Sequence, residues 1–484
     1  MKVLITHSYF LRFDPKQWEL QQPYAPLGTM YAAAVLQNAG FKVSLFDVMF
    51  AENASEILAP LQKEKPDWFV IYDDGFNYLT KMCLTNMREA AFQMIQLAKS
   101  NGCKVAVSSS DSTDHYQEYL SKGADAVLLG EAEETLRELI SLDAQAKDWQ
   151  QIKGIACFNN NEIVCNARRQ VIKNLDEIPF PAWNLVDIFE YKKRWIKKNG
   201  YFSINMGTTR GCPYKCNWCA KPIYGNRYNS RSAANVVAEI KMLKNKYAFD
   251  HIWFCDDIFG LKPGWVKTFA DLLESENISF QYKIQSRVDL LLEDKQIADL
   301  ARSGCANVWV GAESGSQKIL DAMDKGTKVE QIYEATRLLK KNGIKPAFFI
   351  QFGYLGETMK DIELTIKMIN DLLPEDIGVS VSYPLPGTKF FEQVKHQMTK
   401  KTNWSDSDDL ALMFNHAYSP AFYKQLHRFV HKNYRKHQAL NTIKDFFKSS
   451  KKYNFGTIKR AVSFAWYMPV TLIEKQKLKH LHHE

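Results

Sequence analysis

Apolar positions along roughly the first 145 residues come in short runs separated by stretches of helical periodicity. KVLITHSY, KVSLFDVMF, DWFVIYDDGF, KVAVSSS and DAVLLGE are short, apolar and rich in β-branched residues, which predicts buried strands. Between them, LGTMYAAAVLQNAG and NMREAAFQMIQLAKSNG repeat apolar residues at helical spacing, the second closing on a glycine. Strands alternating with helices predict a parallel sheet covered on both faces, with ligands at the carboxyl ends of the strands. The candidate loops follow Tyr9, Phe50, Tyr72, Val107 and Leu129.

The pattern changes near residue 150. GIACFNNNEIVCN predicts a hairpin turning at Asn159 to Asn161, and the two prolines of IPFPAWNLVD predict a linker lying against the next domain. A second strand–helix series follows: FSINMG, HIWFCDD, QYKIQS, ANVWVGAE, PAFFIQFG and IGVSVSYP, with helical stretches such as ANVVAEIKMLKN and IYEATRLLKKNG between them. Six such units fit a partial, open version of the eight-unit barrel, with its site at the carboxyl ends of the strands. The predicted fold class is α/β: an N-terminal Rossmann-like doubly wound sheet over 1–148, a hairpin and linker over 149–200, a partial (βα)6 TIM-type barrel over 201–395, and a basic helical region over 396–484.

Composition narrows the function without choosing it. A chain of 484 residues, 46% hydrophobic and 24% charged, is long enough for two or three globular domains. The net charge of +9 sits mostly at the C-terminal end and does not argue for nucleic acid. Nine unevenly spread cysteines, Cys83 and Cys103 among them, make a poor disulfide framework and suit a reducing cytoplasm. The first apolar run is broken by His7, Arg12 and Asp14, so a signal peptide is not expected. The stretch from Ala461 to Ile473 is interrupted by Pro469 and is shorter than the roughly 20 residues a spanning helix needs.

The sharpest chemical signal is TTRGCPYKCNWCA, a Cys-x3-Cys-x2-Cys loop after a predicted strand. Four residue steps reach about 14 Å and three about 10 Å, so Cys212, Cys216 and Cys219 can wrap one iron–sulfur cubane. Three thiolates rather than four leave one iron open to another ligand. Structural zinc usually takes paired Cys-x2-4-Cys halves, and no second half is visible, so Cys255 or Cys305 would have to serve from afar.

This loop, with Trp218 in the aromatic slot before the last cysteine, resembles the signature of the radical S-adenosylmethionine (SAM) superfamily. The resemblance implies a [4Fe–4S] cluster whose open iron chelates SAM, and reductive cleavage of SAM to methionine and a 5′-deoxyadenosyl radical. VGAESGSQKILDAMDKGT is similar to the family's fourth-strand segment, which implies SAM contacts for Glu313 and Ser314. IQSRVDLL implies that Arg287 meets the SAM carboxylate; FIQFGYLGET implies that backbone beside Ile350 and Gly353 meets the adenine, with Leu355 standing where proline is usual. FCDDIFG resembles a common second-strand motif of the family, which implies that Asp256 and Asp257 lie within reach of substrate or SAM. Each segment also has a plain structural reading: Asp256 and Asp257 as helix caps, Arg287 with Asp289 as a surface pair, Thr358 as a cap.

PYAPLGTMYAAAVLQNAG with FKVSLFDV, and later GADAVLLGEAEETLREL, resemble the cobalamin-binding domain that precedes many radical SAM cores, in methylases of unactivated carbons and in the anaerobic magnesium-protoporphyrin monomethyl ester cyclase. That implies corrin contacts around Ser108, Ser109, Gly130 and Glu131. Serines Ser108, Ser109, Ser110 and Ser112 stand in a loop that is glycine-rich in the family, and His115 directly follows Asp114, the wrong spacing for an axial histidine. The expected activity is cobalamin-dependent methyl transfer to an unactivated carbon. The alternatives are radical SAM ring closure or oxidation without methyl transfer, and a non-catalytic zinc- or cofactor-binding module. Expected partners are an organic small molecule, hydrophobic ones included, and an electron donor such as flavodoxin or ferredoxin. In the C-terminal region Phe422, Leu426, Phe429 and Val430 form an apolar helical face opposite Lys424, Arg428, Lys432 and Arg435. With the lysines around FAWYMPVTLI this is either a solvated basic face or a peripheral membrane contact.

Overall fold

The computed structural model describes residues 1–76, 84–399, 401, 403–405, 410, 412–448 and 455–482; Cys83 and His483 lie outside the described residues. The chain divides into two compact units, one made of residues 1–214, 220–284 and 403–409, the other of 215–219, 285–402 and 410–484.

In the first unit, β1 (Lys2–Thr6), β2 (Lys42–Leu45), β3 (Trp68–Tyr72), β4 (Lys104–Ser108) and β5 (Ala126–Leu128) pair in parallel in the order β2-β1-β3-β4-β5. Alternation along each strand feeds two cores: Val105 and Val107 pack with Met94, Ile95 and Tyr119 on one face, Ala106 with Leu36, Leu136 and Ile140 on the other. Central β3 is buried at every residue, so it reads as a continuous apolar run. The strand order reverses between β1 and β3, and a ligand crevice in such a sheet lies outside their carboxyl ends.

The hairpin predicted after residue 150 is present as β6 (Ile155–Asn159) and β7 (Glu162–Cys165), turning through Asn160 and Asn161, both at positive φ. It does more than lead into a linker. β6 pairs antiparallel with β5, Ala126 against Cys157, and covers an edge that would otherwise expose its backbone. The proline-rich stretch is tightly held: Trp183 Nε1 donates to Glu239 and Trp195 Nε1 to the Pro23 carbonyl, while Tyr191 donates to Asp47.

The second strand series begins with β8 (Ser203–Met206), followed by a short antiparallel pair, β9 (Thr209–Arg210) and β10 (Asn229–Ser230), that the sequence did not announce. β11 (His251–Phe254) pairs in parallel with β8 and with β12 (Gln281–Ser286). In the second unit, β13 (Cys305–Glu313), β14 (Lys345–Phe352) and β15 (Asp376–Val381) are parallel neighbours. Helices Ala233–Tyr247, Trp265–Ser275, Gln296–Arg302, Val329–Lys341 and Met359–Leu372 alternate with these six parallel strands. The α/β fold class expected from the apolar pattern is the one observed.

Helices Pro420–Lys448, Phe455–Val462 and Phe464–His482 follow. Phe422, Leu426, Phe429 and Val430 are buried, as their spacing predicts. Pro469 does not stop the last helix: Pro469 and Ala465, whose carbonyl loses its partner to the proline ring, are both solvent-exposed, so water satisfies the break.

Candidate functional site: the cysteine loop and its surroundings

The cysteine loop leaves the first unit at β9 under tight steric control. Gly211 has φ +80°, and a Cβ there would lie 2.5 Å from the Arg227 carbonyl oxygen, so only glycine fits the residue before Cys212. Arg210, one position earlier, is almost wholly buried. Its guanidinium pairs with Glu131 and with Glu133 at 2.8 Å and lies 5.2–5.5 Å from the ring centroids of Tyr31, Phe76 and Tyr224. The Gly130–Glu131 turn at the end of β5 is thereby tied to the strand that launches the cysteines. Gly130 has φ +74° and faces the Ile223 carbonyl in the same loop. Lys221 closes the segment by donating to the Tyr214 carbonyl and Asn226.

Asp256 follows β11 with both oxygens engaged: Thr208 and Thr209 N–H groups donate to Oδ1 at 2.7 and 2.9 Å, and the Thr208 hydroxyl donates to Oδ2. Burial raises its pKa to about 6 despite these bonds. Asp256 braces the β8–β9 connection, and Asp257 beside it is half-buried.

In the second unit Cys216 lies among charges. Arg287 is buried, pairs with Asp289, donates from Nη2 to the Lys325 carbonyl at 2.9 Å, and points Nη1 at the Cys216 sulfur, 3.9 Å away. The surface pair considered from sequence is thus an inward-facing arginine. Lys325 Nζ donates to Glu313 at 2.8 Å. Burial works against the Lys325 ammonium, but Glu313 and the Cys216 sulfur outweigh it and raise its pKa. Glu313 itself sits at φ +57° after a bulge in β13, and a Cβ on Gly311 would strike Lys325 Nζ at 2.5 Å.

Asn217 anchors the loop by accepting from Tyr354 and donating to the Ala322 carbonyl, each at 2.6 Å. Trp218 packs against the core cluster that includes Ile319, Met323 and Phe414, and its Nε1 is buried without a hydrogen-bond partner among the described residues. Ser314 is buried and bonds Thr365; Ile350 is buried in β14. Gly353, at φ +77°, donates its N–H to Glu357 at 2.6 Å.

At the carboxyl ends of the first sheet, Ser108 to Thr113 are all buried, and the serine stretch folds as a short helix in which Ser109 and Ser112 cap each other. Thr113 accepts from Gly130 N, joining the loops after β4 and β5. At the strand-order reversal, Asp73 accepts from the N–H and hydroxyl of Ser8, and burial lifts its pKa to about 6. His7, at the end of β1, spends Nε2 on Asp47 and Nδ1 on the Tyr9 N–H; His115 faces Asp111 and Glu118.

Two family profiles match the chain: the Radical SAM superfamily over residues 206–369 and the B12 binding domain over residues 19–140. The chain carries a radical SAM domain and, before it, a B12-binding domain. It is 28% identical, over 342 residues covering 70% of this chain and 72% of the relative, to an uncharacterized methyltransferase of Pyrococcus horikoshii. It is 27% identical, over 280 residues covering 57% of this chain and 45% of the relative, to the anaerobic magnesium-protoporphyrin IX monomethyl ester cyclase of Cereibacter sphaeroides. Its fold is similar, with a TM-score of 0.75 at 16% identity over 99% of this chain and 72% of the other, to the cobalamin-dependent S-adenosylmethionine radical enzyme OxsB.

A radical SAM domain uses a [4Fe–4S] cluster and SAM, and the residues present fit both. Cys212, Cys216 and Cys219 are half-buried thiols outside any disulfide. Among the described residues no three His, Cys, Asp or Glu side chains gather round one ion-sized point. Cubane ligands bond separate irons, so their sulfurs need not converge as zinc ligands do. Arg287 and Lys325 supply positive charge beside Cys216, which complements the negative charge a thiolate-bound cluster carries. The B12-binding domain has the strand-order reversal such a cofactor needs; near its carboxyl ends His7 has both ring nitrogens engaged, and His115 lies 3.9 Å from Asp111 and 3.6 Å from Glu118.

Three contributors went unnoticed in the sequence. Lys325 stands in the AMDKGT end of a segment read for Glu313, and its lysine next to a turn glycine was the available signal. Arg210 precedes the signature glycine with no pattern of its own. Lys283 on β12 places Nζ 4.9 Å from the Trp253 ring centroid and 5.3 Å from that of Tyr24, and burial lowers its pKa to about 8.

Two outcomes follow from this geometry. Arg210→Met leaves Glu131 and Glu133 buried without their cation and is expected to cost about 3–5 kcal/mol, read as a lower urea midpoint of unfolding. Burial raises the Glu357 pKa from 4.5 to about 8. The folded state therefore holds this proton longer than the unfolded chain, so its contribution is complete below pH 4.5 and lost as pH rises towards 8. Glu357→Gln should flatten that part of the pH–stability curve while keeping an acceptor for Gly353.

Proposed function

We propose that the protein is a cobalamin-dependent radical SAM methyltransferase acting on an unactivated carbon of an organic small molecule. The observation that carries the reading is the Cys216 sulfur set against Arg287, with Lys325 and Glu313 beside it, on the loop bearing the other two cysteines. Cys212, Cys216 and Cys219 would hold the cluster. When bound, the cluster supplies one electron that splits SAM into methionine and a 5′-deoxyadenosyl radical, and cobalamin supplies a methyl carrier. The protein's own part is to bind, orient and exclude water. Arg287 would pair with the SAM carboxylate, Glu313 and Ser314 with its ribose or amino group, and backbone at Ile350 and Gly353 with the adenine. Lys325 would keep Glu313 aimed, at the cost of a strained φ. Trp218 would lie beside the cluster, and Asp256 and Asp257 would be within reach of substrate or SAM; a dry site matters because such a radical attacks whatever it meets first.

The division of labour would be a cobalamin domain over 1–148, a connecting segment over 149–200, the radical core over 201–395 and a helical region over 396–484. Ser108, Ser109, Gly130 and Glu131 would border the corrin, and the Arg210–Glu131 pair would couple that border to the cysteine loop. Flavodoxin or ferredoxin would deliver the electron, and the C-terminal region would touch a membrane surface. The similarity to the cyclase favours a second reading, radical ring closure or oxidation without methyl transfer.

Anaerobic reconstitution tests the core claim. The wild-type chain should take up about four irons and release 5′-deoxyadenosine when reduced with SAM, and Cys216→Ala should lose both. Tight zinc uptake without iron would overturn the reading in favour of a binding module. For the corrin, the chain incubated with hydroxocobalamin and freed of unbound cofactor should retain a corrin visible by its absorbance. No retained corrin removes cobalamin-dependent methyl transfer.

A further inference from the structure

The last two described helices expose an apolar surface that no described residue of their own unit covers. Phe455, Ile458, Val462, Trp466, Met468, Leu472 and Ile473 are each 47–81% exposed. These seven are nearly half of the sixteen large hydrophobic side chains exposed among the described residues, drawn from 28 residues of sequence. Scattered exposed apolar residues need no explanation, but a contiguous patch marks an interaction surface.

Helical geometry puts the last helix's share of these residues on one face. At 100° per residue, Ala465, Trp466, Met468, Pro469, Leu472 and Ile473 span a single arc of the helix Phe464–His482. The opposite side is buried: Thr471, Glu474 and Leu478 are nearly inaccessible, and Glu474 accepts from Gln425 and Lys432 of the helix Pro420–Lys448. Lys475 and Lys477 fall at the two margins of the apolar arc. Glu474 is the only acidic residue between 455 and 482, and it is buried and paired, whereas Lys459, Arg460, Lys475, Lys477 and Lys479 are exposed.

We infer that this surface docks on an anionic lipid bilayer, lying in the plane of the interface. Apolar side chains would enter the boundary between headgroups and acyl chains, Trp466 would sit at headgroup depth, and the marginal lysines would reach lipid phosphates while their stems cover apolar surface. None of the described helices is long and apolar enough to cross a membrane, so the contact is peripheral. A second copy of the chain fits poorly, because matching the patch to itself sets five cations against five. The inference deepens the membrane contact of the proposed function and is independent of its radical chemistry, because iron uptake reports on that separately.

The test is co-flotation of the full reconstituted chain with vesicles of phosphatidylcholine, with or without phosphatidylglycerol. Binding is expected to the mixed vesicles, to weaken with added salt, and to be slight on phosphatidylcholine alone. The double variant Trp466→Glu, Leu472→Glu should abolish flotation. Lys475→Gln with Lys477→Gln should weaken it by about fivefold per lysine. All four positions are exposed, so iron content and thermal midpoint should match the wild type, which separates lost docking from misfolding. Failure of the wild type to float with anionic vesicles overturns the inference, as does flotation that the variants leave unchanged. A lipid-free dimer that Trp466→Glu, Leu472→Glu dissociates, with no flotation, would assign the patch to a second copy instead.

Discussion

The arrangement around the cysteine loop depends on one desolvated guanidinium. Arg210 has been taken out of water, which costs several kcal/mol unless the charge is compensated. Compensation comes from Glu131 and Glu133 at the end of the first sheet and from three aromatic rings, one each from the helix after β1, the turn after β3 and the cysteine loop itself. Each partner is needed because the others are fixed. A carboxylate alone in that position would be as costly as the arginine alone. The residue after Arg210 must be glycine because the chain turns against its own backbone there, and the residue after that is Cys212. A charge network in the N-terminal part of the chain therefore sets where the first thiol begins.

A second constraint of the same kind acts in the other unit. The β13 bulge turns Glu313 to a positive φ, a conformation that costs a non-glycine residue about 1–3 kcal/mol. Lys325 holds it there, and Gly311 leaves the room for their contact. Arg287 then binds the Lys325 carbonyl and faces Cys216, so strand bulge, ion pair and thiol form one chain of contacts. Strain, buried charge and close backbone approach all coincide at the segment expected to meet SAM, and such coincidence is what a preorganised site requires.

The pattern of apolar residues was a sound guide to the layers. Each run named as a strand corresponds to an observed strand, because a period of two or a continuous apolar run is imposed by burial on one or both faces of a sheet. Pattern was a poorer guide where backbone pairing rather than burial decides. The hairpin near residue 160 looked like a lead-in to a linker because its outer strand β7 is mostly exposed, yet it completes the first sheet by covering β5. The β9–β10 pair has only two residues in each strand, too few to show a period. Pro469 reads as a helix break by its ring, but an exposed helix face can lose one carbonyl partner to water and continue.

By itself the sequence determined the three-thiol loop, the order of strands and helices, and the wrong spacing of Asp114 and His115 for an axial ligand, since each of these is a matter of residue type and separation along the chain. Tertiary structure alone decided which charges meet. Arg210 and Glu131 are 79 positions apart, and Lys325 is 109 from Cys216. The folded chain also turned the serines after β4 inward on each other and left the terminal apolar face uncovered. Long-range pairing of that sort carries no local signature, because the free energy that selects it arises only when folding removes both partners from water.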